Sequence, residues 1–102
     1  MEGRPLRLLP WTNAQGAPCY LSTDDPHSRM SRLADEVEAD LLDSAEYVLK
    51  EARTLLAEPK AGEGELRFAG VRLAESLEDT LRIAAGRGVR LDAELMREGD
   101  GG

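Results

Sequence analysis

Counted at 100° per residue from Leu41, the positions Met30, Leu33, Ala34, Val37, Leu41, Ala45, Val48, Ala52 and Leu55 fall on one side of a helix. Leu42, Leu49 and Leu56 widen that side until the apolar arc covers roughly half the circumference, broader than the seam of a two-stranded coil. One neighbouring helix does not cover so wide an arc, so the pattern implies at least two packing partners. The helix is expected over residues 26–58. Asp25 supplies a capping side chain, Pro26 suits the first helical position, and Ser28 is a competing cap two residues on. Pro59 stops the helix.

A connector rich in Pro and Gly follows over 59–64, short enough for an antiparallel turn. A second helix is expected over 65–87. Its main stripe is Leu66, Gly70, Leu73, Leu77, Leu81 and Ala84, while Phe68, Val71 and Ile83 lie off the stripe and point to a second contact, with the N-terminal segment. Gly86 weakens the last turn and Gly88 is the natural stop. Residues 89–102 read as a flexible tail, with a further helical turn or two over 91–96 and disorder from Glu98 onward.

The first 24 residues follow another pattern. Leu6-Arg7-Leu8-Leu9 and Cys19-Tyr20-Leu21 are short apolar runs on either side of a segment full of turn formers. Pro5, Pro10 and Pro18 limit strand length. A two-stranded hairpin is marginal alone in water, so this arm must lie on the helices or pair with another chain. The expected fold is therefore mainly α. It is a two-helix antiparallel hairpin over 25–88 with an N-terminal β-hairpin or extended arm over 1–24, completing a four-helix bundle as a homodimer.

Composition agrees with helix. The 102 residues are 41% apolar but only 4% aromatic, and the apolar inventory is mainly Leu and Ala rather than the β-branched residues a sandwich or barrel needs. A net charge of −7 disfavours direct binding to nucleic acid or an anionic membrane and favours a basic partner. No apolar run reaches the ~20 residues of a membrane span, no long apolar segment follows the first arginines as in a signal peptide, and the single Cys19 has no internal disulfide partner. The expected location is the cytoplasm.

Candidate chemistry is sparse. Asp35, Glu36, Glu38, Asp40, Asp43, Glu46 and Glu51 crowd the first helix, and Glu36, Asp40, Asp43 and Glu51 lie away from the apolar arc. They form either a solvated face or a docking face for a basic surface, with Trp11 as a packing anchor or a partner contact. Val37, Leu41, Leu42, Val48, Leu49 and Leu56 are the residues expected in the core or dimer interface. Asp40-x-x-Asp43 and Glu75-x-x-Glu78-Asp79 share a carboxylate spacing with magnesium-dependent all-α pyrophosphohydrolases, but Glu75 and Glu78 fall opposite Leu73, Leu77 and Leu81 and should face water. Cys19 and His27 lack a third, orienting group for nucleophilic catalysis. No phosphate loop, dinucleotide fingerprint, zinc spacing or nucleophile elbow is present. The arginines are dispersed among acids, with Arg72–Glu75 and Arg82–Glu78 at the spacing of surface ion pairs. No catalytic, cofactor-binding or metal residue is assigned.

Arg4-Pro5-Leu6-Arg7-Leu8-Leu9-Pro10-Trp11, Pro18-Cys19-Tyr20-Leu21 and Ser31-Arg32-Leu33-Ala34-Asp35-Glu36-Val37-Glu38 together resemble small acidic helical proteins of actinobacterial genomes. The resemblance implies no activity. It points toward a regulatory setting, since similar proteins are thought to work beside helix-turn-helix regulators. The functional expectation is a dimeric, non-enzymatic interaction module that binds a basic partner such as a transcriptional regulator. Its alternatives are a small magnesium-dependent enzyme acting on a phosphorylated metabolite and an antitoxin-like or DNA-mimicking inhibitor.

Overall fold

The structure, a computed structural model, describes residues 6–22 and 27–101, with side chains as far as Gly88. Two strands, β1 (Leu6–Thr12) and β2 (Pro18–Ser22), precede two helices, α1 (Arg29–Leu56) and α2 (Glu63–Gly101). The strands form a two-stranded antiparallel sheet. Leu6, Arg7 and Leu8 pair with Ser22, Leu21 and Tyr20, and the register shifts before Thr12 meets Pro18. That irregularity spans Leu9, Pro10 and Trp11. Proline has no N–H to give to a ladder, and a bulge removes the need for one. Pro10 therefore sits inside β1 rather than ending it, so the strand is longer than expected.

Asn13 organises the turn. Its side-chain Oδ1 accepts from the backbone N–H of Gln15 at 2.9 Å and of Ala17 at 3.0 Å. Gly16 adopts φ 81°, the left-handed region that glycine enters without steric cost.

Ser28 caps α1, its hydroxyl accepting from the Ser31 N–H at 3.2 Å. The helix thus begins at Arg29, three residues later than expected. His27 is exposed ahead of the cap rather than in the first turn. Asp25 and Pro26, the alternative start, lie outside the described residues. α1 ends at Leu56, before Pro59, and the reversal uses Ala57 to Gly62. Glu65 Oε1 accepts from the Gly62 N–H at 3.0 Å, while the Gly62 carbonyl accepts the first helical bond, from Leu66. This is the reaching-back half of a capping box.

α2 does not stop at Gly88. Neither Gly86 nor Gly88 takes the positive φ of a helix-ending glycine, and the helix continues through the segment expected as a tail to Gly101. Glycine weakens a helix interior by about 1 kcal/mol but does not by itself break it. Gly86 has a packing reason. A Cβ there would lie 3.2 Å from the Leu8 carbonyl oxygen, so its absence lets β1 settle directly on α2. The arm therefore lies on its own helices, touching both α2 and α1.

The core is thin. Its buried apolar members are Leu9, Ala34, Val48, Ala52, Ala69 and Ile83, together with Pro10. Ile83 is the buried member of the three off-stripe residues; Phe68 and Val71 are exposed. The stripe expected to meet α1 largely does not. Leu73 is half-buried, but Leu66, Leu77 and Leu81 are exposed, and α2 turns Ala69 and Ile83 inward instead. A small residue such as Ala69, set against Ala52 and Val48, lets two helices approach closely, and periodicity alone does not report which arc wins that contact. Val48 is buried and Val37, Leu41 and Leu42 are half-buried, but Leu49 and Leu56 stand exposed. Among the described residues no helix is long and apolar enough to cross a membrane.

Candidate functional surfaces

α1 divides its acids between two tasks. Glu38 lies on the inward side, 3% exposed, one turn after the fully buried Ala34. Two arginines from different elements meet its carboxylate. Arg7 of β1 donates from Nη2 to Glu38 Oε2 at 3.2 Å, and Arg87 of α2 donates from Nη2 to Glu38 Oε1 at 3.3 Å. Arg7 also donates to Asp35 Oδ1 at 2.7 Å and, through Nη1, to the Ser31 carbonyl at 3.0 Å. One guanidinium fork thus spans three acceptors on α1, a geometry lysine lacks. The arm is thus pinned to the helices by charge as well as by the Leu8–Gly86 contact. In sequence Glu38 is one acid in a run of acids. Only its phase, close to that of the inward Ala34 and Ala45, set it apart, and that signal passed unused.

The acids predicted to bind a partner follow the other phase. Glu36, Asp40, Asp43 and Glu51 are exposed. They recur at intervals of four, three and eight residues, and Tyr47 fills the eight-residue gap, so five side chains form one stripe along α1. Among the described residues none of the four acids has a hydrogen-bond or ion-pair partner. Trp11, the fifth predicted contact, is half-buried at the β1 irregularity, apart from this stripe in the chain.

Beside the stripe, α1 and α2 leave an open groove. One end, of about 380 Å³, is mostly apolar and runs between Tyr47 and Phe68 over Val48, Ala52, Leu55 and Ala69. Arg72 also borders a second depression of about 340 Å³, between Leu41 and Ser44 of α1 and Glu75, Glu78 and Asp79 of α2. Tyr47 and Phe68 are 64% and 66% exposed, unusually high for aromatic rings in so small a domain.

The opposite side is leucine-rich. Leu49 lies about 200° from Tyr47 around α1, and Leu77 about 180° from Phe68 around α2. Because Tyr47 and Phe68 wall one groove, Leu49 and Leu77 belong to the far side. Leu56, Leu66 and Leu81 extend that surface, all of them exposed.

The remaining candidates gather no chemistry. Glu75 accepts from Arg72 at 3.3 Å, Asp79 from Arg82 at 3.3 Å and Glu78 from Arg82 at 3.5 Å, so each carboxylate of the α2 motif is engaged by its own helix. The two ion pairs expected from spacing are both present. Asp43 and Glu78 are exposed, and among the described residues no three metal-ligating side chains converge. Cys19 is half-buried in β2 and His27 exposed before α1. No protein-family model, no curated protein and no solved structure matches the chain.

Proposed function

We propose that the protein is a non-enzymatic interaction module that works as a homodimer and presents its acidic α1 stripe to a basic protein partner. One observation carries the reading. Twelve large apolar side chains among the described residues are exposed, while only Leu9, Pro10, Val48 and Ile83 of the buried apolar set are larger than alanine. Apolar burial is the dominant favourable term in folding, and among the described residues far more large apolar groups stand exposed than are fully buried. Leu49, Leu56, Leu66, Leu77 and Leu81 bring exposed leucines from both helices to one side, with Glu46 and Arg53 beside them on α1. Those five leucines expose on the order of 500 Å² per protomer, a large share of the ~800 Å² per partner of a stable interface. Two hairpins joined there make a four-helix bundle.

The partner side of the reading rests on charge. Net charge is −7, and Glu36, Asp40, Asp43 and Glu51 spend none of theirs on the fold. A basic regulatory protein fits that stripe by charge complementarity. Sedimentation equilibrium at tens of micromolar tests the dimer. The wild type is expected at twice the 11.1 kDa chain mass and the Leu77→Asp, Leu81→Asp double variant at one chain mass. A monomeric wild type removes the dimer from the proposal.

A further inference from the structure

We infer that the groove walled by Tyr47 and Phe68 is the docking site for a basic amphipathic helix of a partner protein, seated with its apolar anchors at the Tyr47–Phe68 end and its cations at the Glu75–Asp79 end. The inference rests on the interaction-module reading and adds to it the place, the partner's secondary structure and its polarity.

Length comes first. The two depressions together run along α1 from Leu41 to Leu55. Fourteen residues of helical rise make about 21 Å, the length of about four turns. A groove formed between two parallel-sided helices accepts a third helix by the same ridge-and-groove geometry that packs the first two. An extended strand would gain nothing here, because both flanking elements are helices whose backbone groups are already bonded.

Chemistry then fixes the character and direction of the occupant. At one end two exposed rings stand over a small-residue floor of Ala52 and Ala69, an arrangement that admits a Leu or Phe anchor between them. At the other end the lining carries Glu75, Glu78 and Asp79, and Asp40 and Asp43 stand on the adjoining stripe of α1. Glu51 borders the apolar end. Arg72 is the one cation lining either depression among the described residues; Glu75 engages it, and Arg82, outside the lining, pairs with Glu78 and Asp79. The uncompensated charge beside the groove is therefore that of Asp40, Asp43 and Glu51, two of the three standing away from the aromatic end. A second copy of this chain is a poor occupant, because its own exposed helical stripe is acidic and would place like charges together. The leucine side carries both signs of charge beside its leucines, Glu46 and Arg53, and has no such objection, which leaves the groove for a partner of opposite charge.

Fluorescence anisotropy with synthetic labelled peptides tests this on the full chain. The probe is an 18-residue helix-forming peptide, about five turns long. It carries Leu or Phe at i, i+3, i+4 and i+7 in its first half and Lys or Arg on the same face in its second. One control replaces the cations by Glu, and another scrambles the order so that no apolar face remains. The basic amphipathic peptide is expected to bind with micromolar affinity and each control at least about tenfold more weakly. Phe68→Ala and Tyr47→Ala are each expected to weaken binding about tenfold, the effect of losing one buried anchor. Asp40→Asn with Asp43→Asn is expected to lower affinity and flatten its salt dependence. Tyr47 and Phe68 are exposed, so these variants keep the fold, and far-ultraviolet circular dichroism verifies it. Equal binding of any control, wild-type binding by the Tyr47 and Phe68 variants, or no binding at all overturns the inference. So does conversion of a dimer to a monomer by Phe68→Ala, which would assign the groove to a second copy. Leu77→Asp with Leu81→Asp separates the two proposals: a monomer that still binds the peptide sinks neither, and a monomeric wild type that binds it sinks only the dimer.

Discussion

Glu38 and Arg7 show how much one residue depends on where its neighbours put it. In a run of acids Glu38 is the one whose carboxylate is closed over, and it is stable there because Arg7 and Arg87 meet it from two other elements. Removing one member of such a set leaves the others desolvated and under-bonded. Glu38→Ala is expected to lower stability by about 2–4 kcal/mol, read from the urea midpoint at constant slope. Glu63→Gln serves as the contrast. The Glu63–Arg67 pair lies in open solvent, so its loss is expected to shift the midpoint by less than about 0.5 kcal/mol. The glycines of α2 divide in the same way. Nothing lies within 4 Å of a Cβ at Gly70, so Gly70→Ala is expected to stabilise the helix by about 0.5–1 kcal/mol. At Gly86 the Leu8 carbonyl stands in the way, and Gly86→Val is expected to destabilise by about 1–3 kcal/mol through crowding of β1.

At the scale of elements, the local rules worked where local chemistry decides. Pro59 was legible as the limit of α1 and the Asn13–Gly16 segment as a turn, because in each the deciding contact spans only a few residues, whereas Ser28 was legible only as a competitor to Asp25. Ser28→Ala is expected to cost about 1 kcal/mol and to raise amide exchange selectively in the first turn of α1. The choice between Asp25 and Ser28 was open in sequence, since both have a capping side chain and only the path of the preceding chain separates them. The run of α2 past Gly88 was misjudged because a glycine signals a stop only when the backbone turns left-handed there. The facing arc of α2 was misjudged because leucine content marks hydrophobicity, whereas helix approach was decided by the small side chain of Ala69.

The whole molecule is long and thin. Its radius of gyration is 17.8 Å, against about 13 Å for a compact chain of this length, and its extents are 60 × 32 × 20 Å. An elongated pair of helices with a small sheet encloses little volume, which is why so many large apolar groups remain outside. If the leucine side closes on a second copy, the apparent stability of the chain must depend on its concentration. The melting temperature is expected to rise as protein is raised from about 1 to 100 μM and to become independent of concentration in the Leu77→Asp, Leu81→Asp variant.

Sequence by itself determined that the chain makes two long amphipathic helices preceded by an arm of two short apolar runs, that α1 has more apolar surface than one helix covers, and that Glu36, Asp40, Asp43 and Glu51 share an outward phase. Each of these follows from side-chain period and from contacts within a few residues, which the order of residues encodes directly. Only the tertiary structure decided that Glu38 is an inward charge held between Arg7 and Arg87, that Gly86 is a seat for Leu8, and that Tyr47 and Phe68 face each other across a groove with the leucines on the far side. Those relations join residues 21 to 78 positions apart, and they depend on the rotation of one element against another, which periodicity leaves free. The half-circumference apolar arc was visible from the start; its division into a core contact, a leucine side and an aromatic groove exists only once the two helices have met.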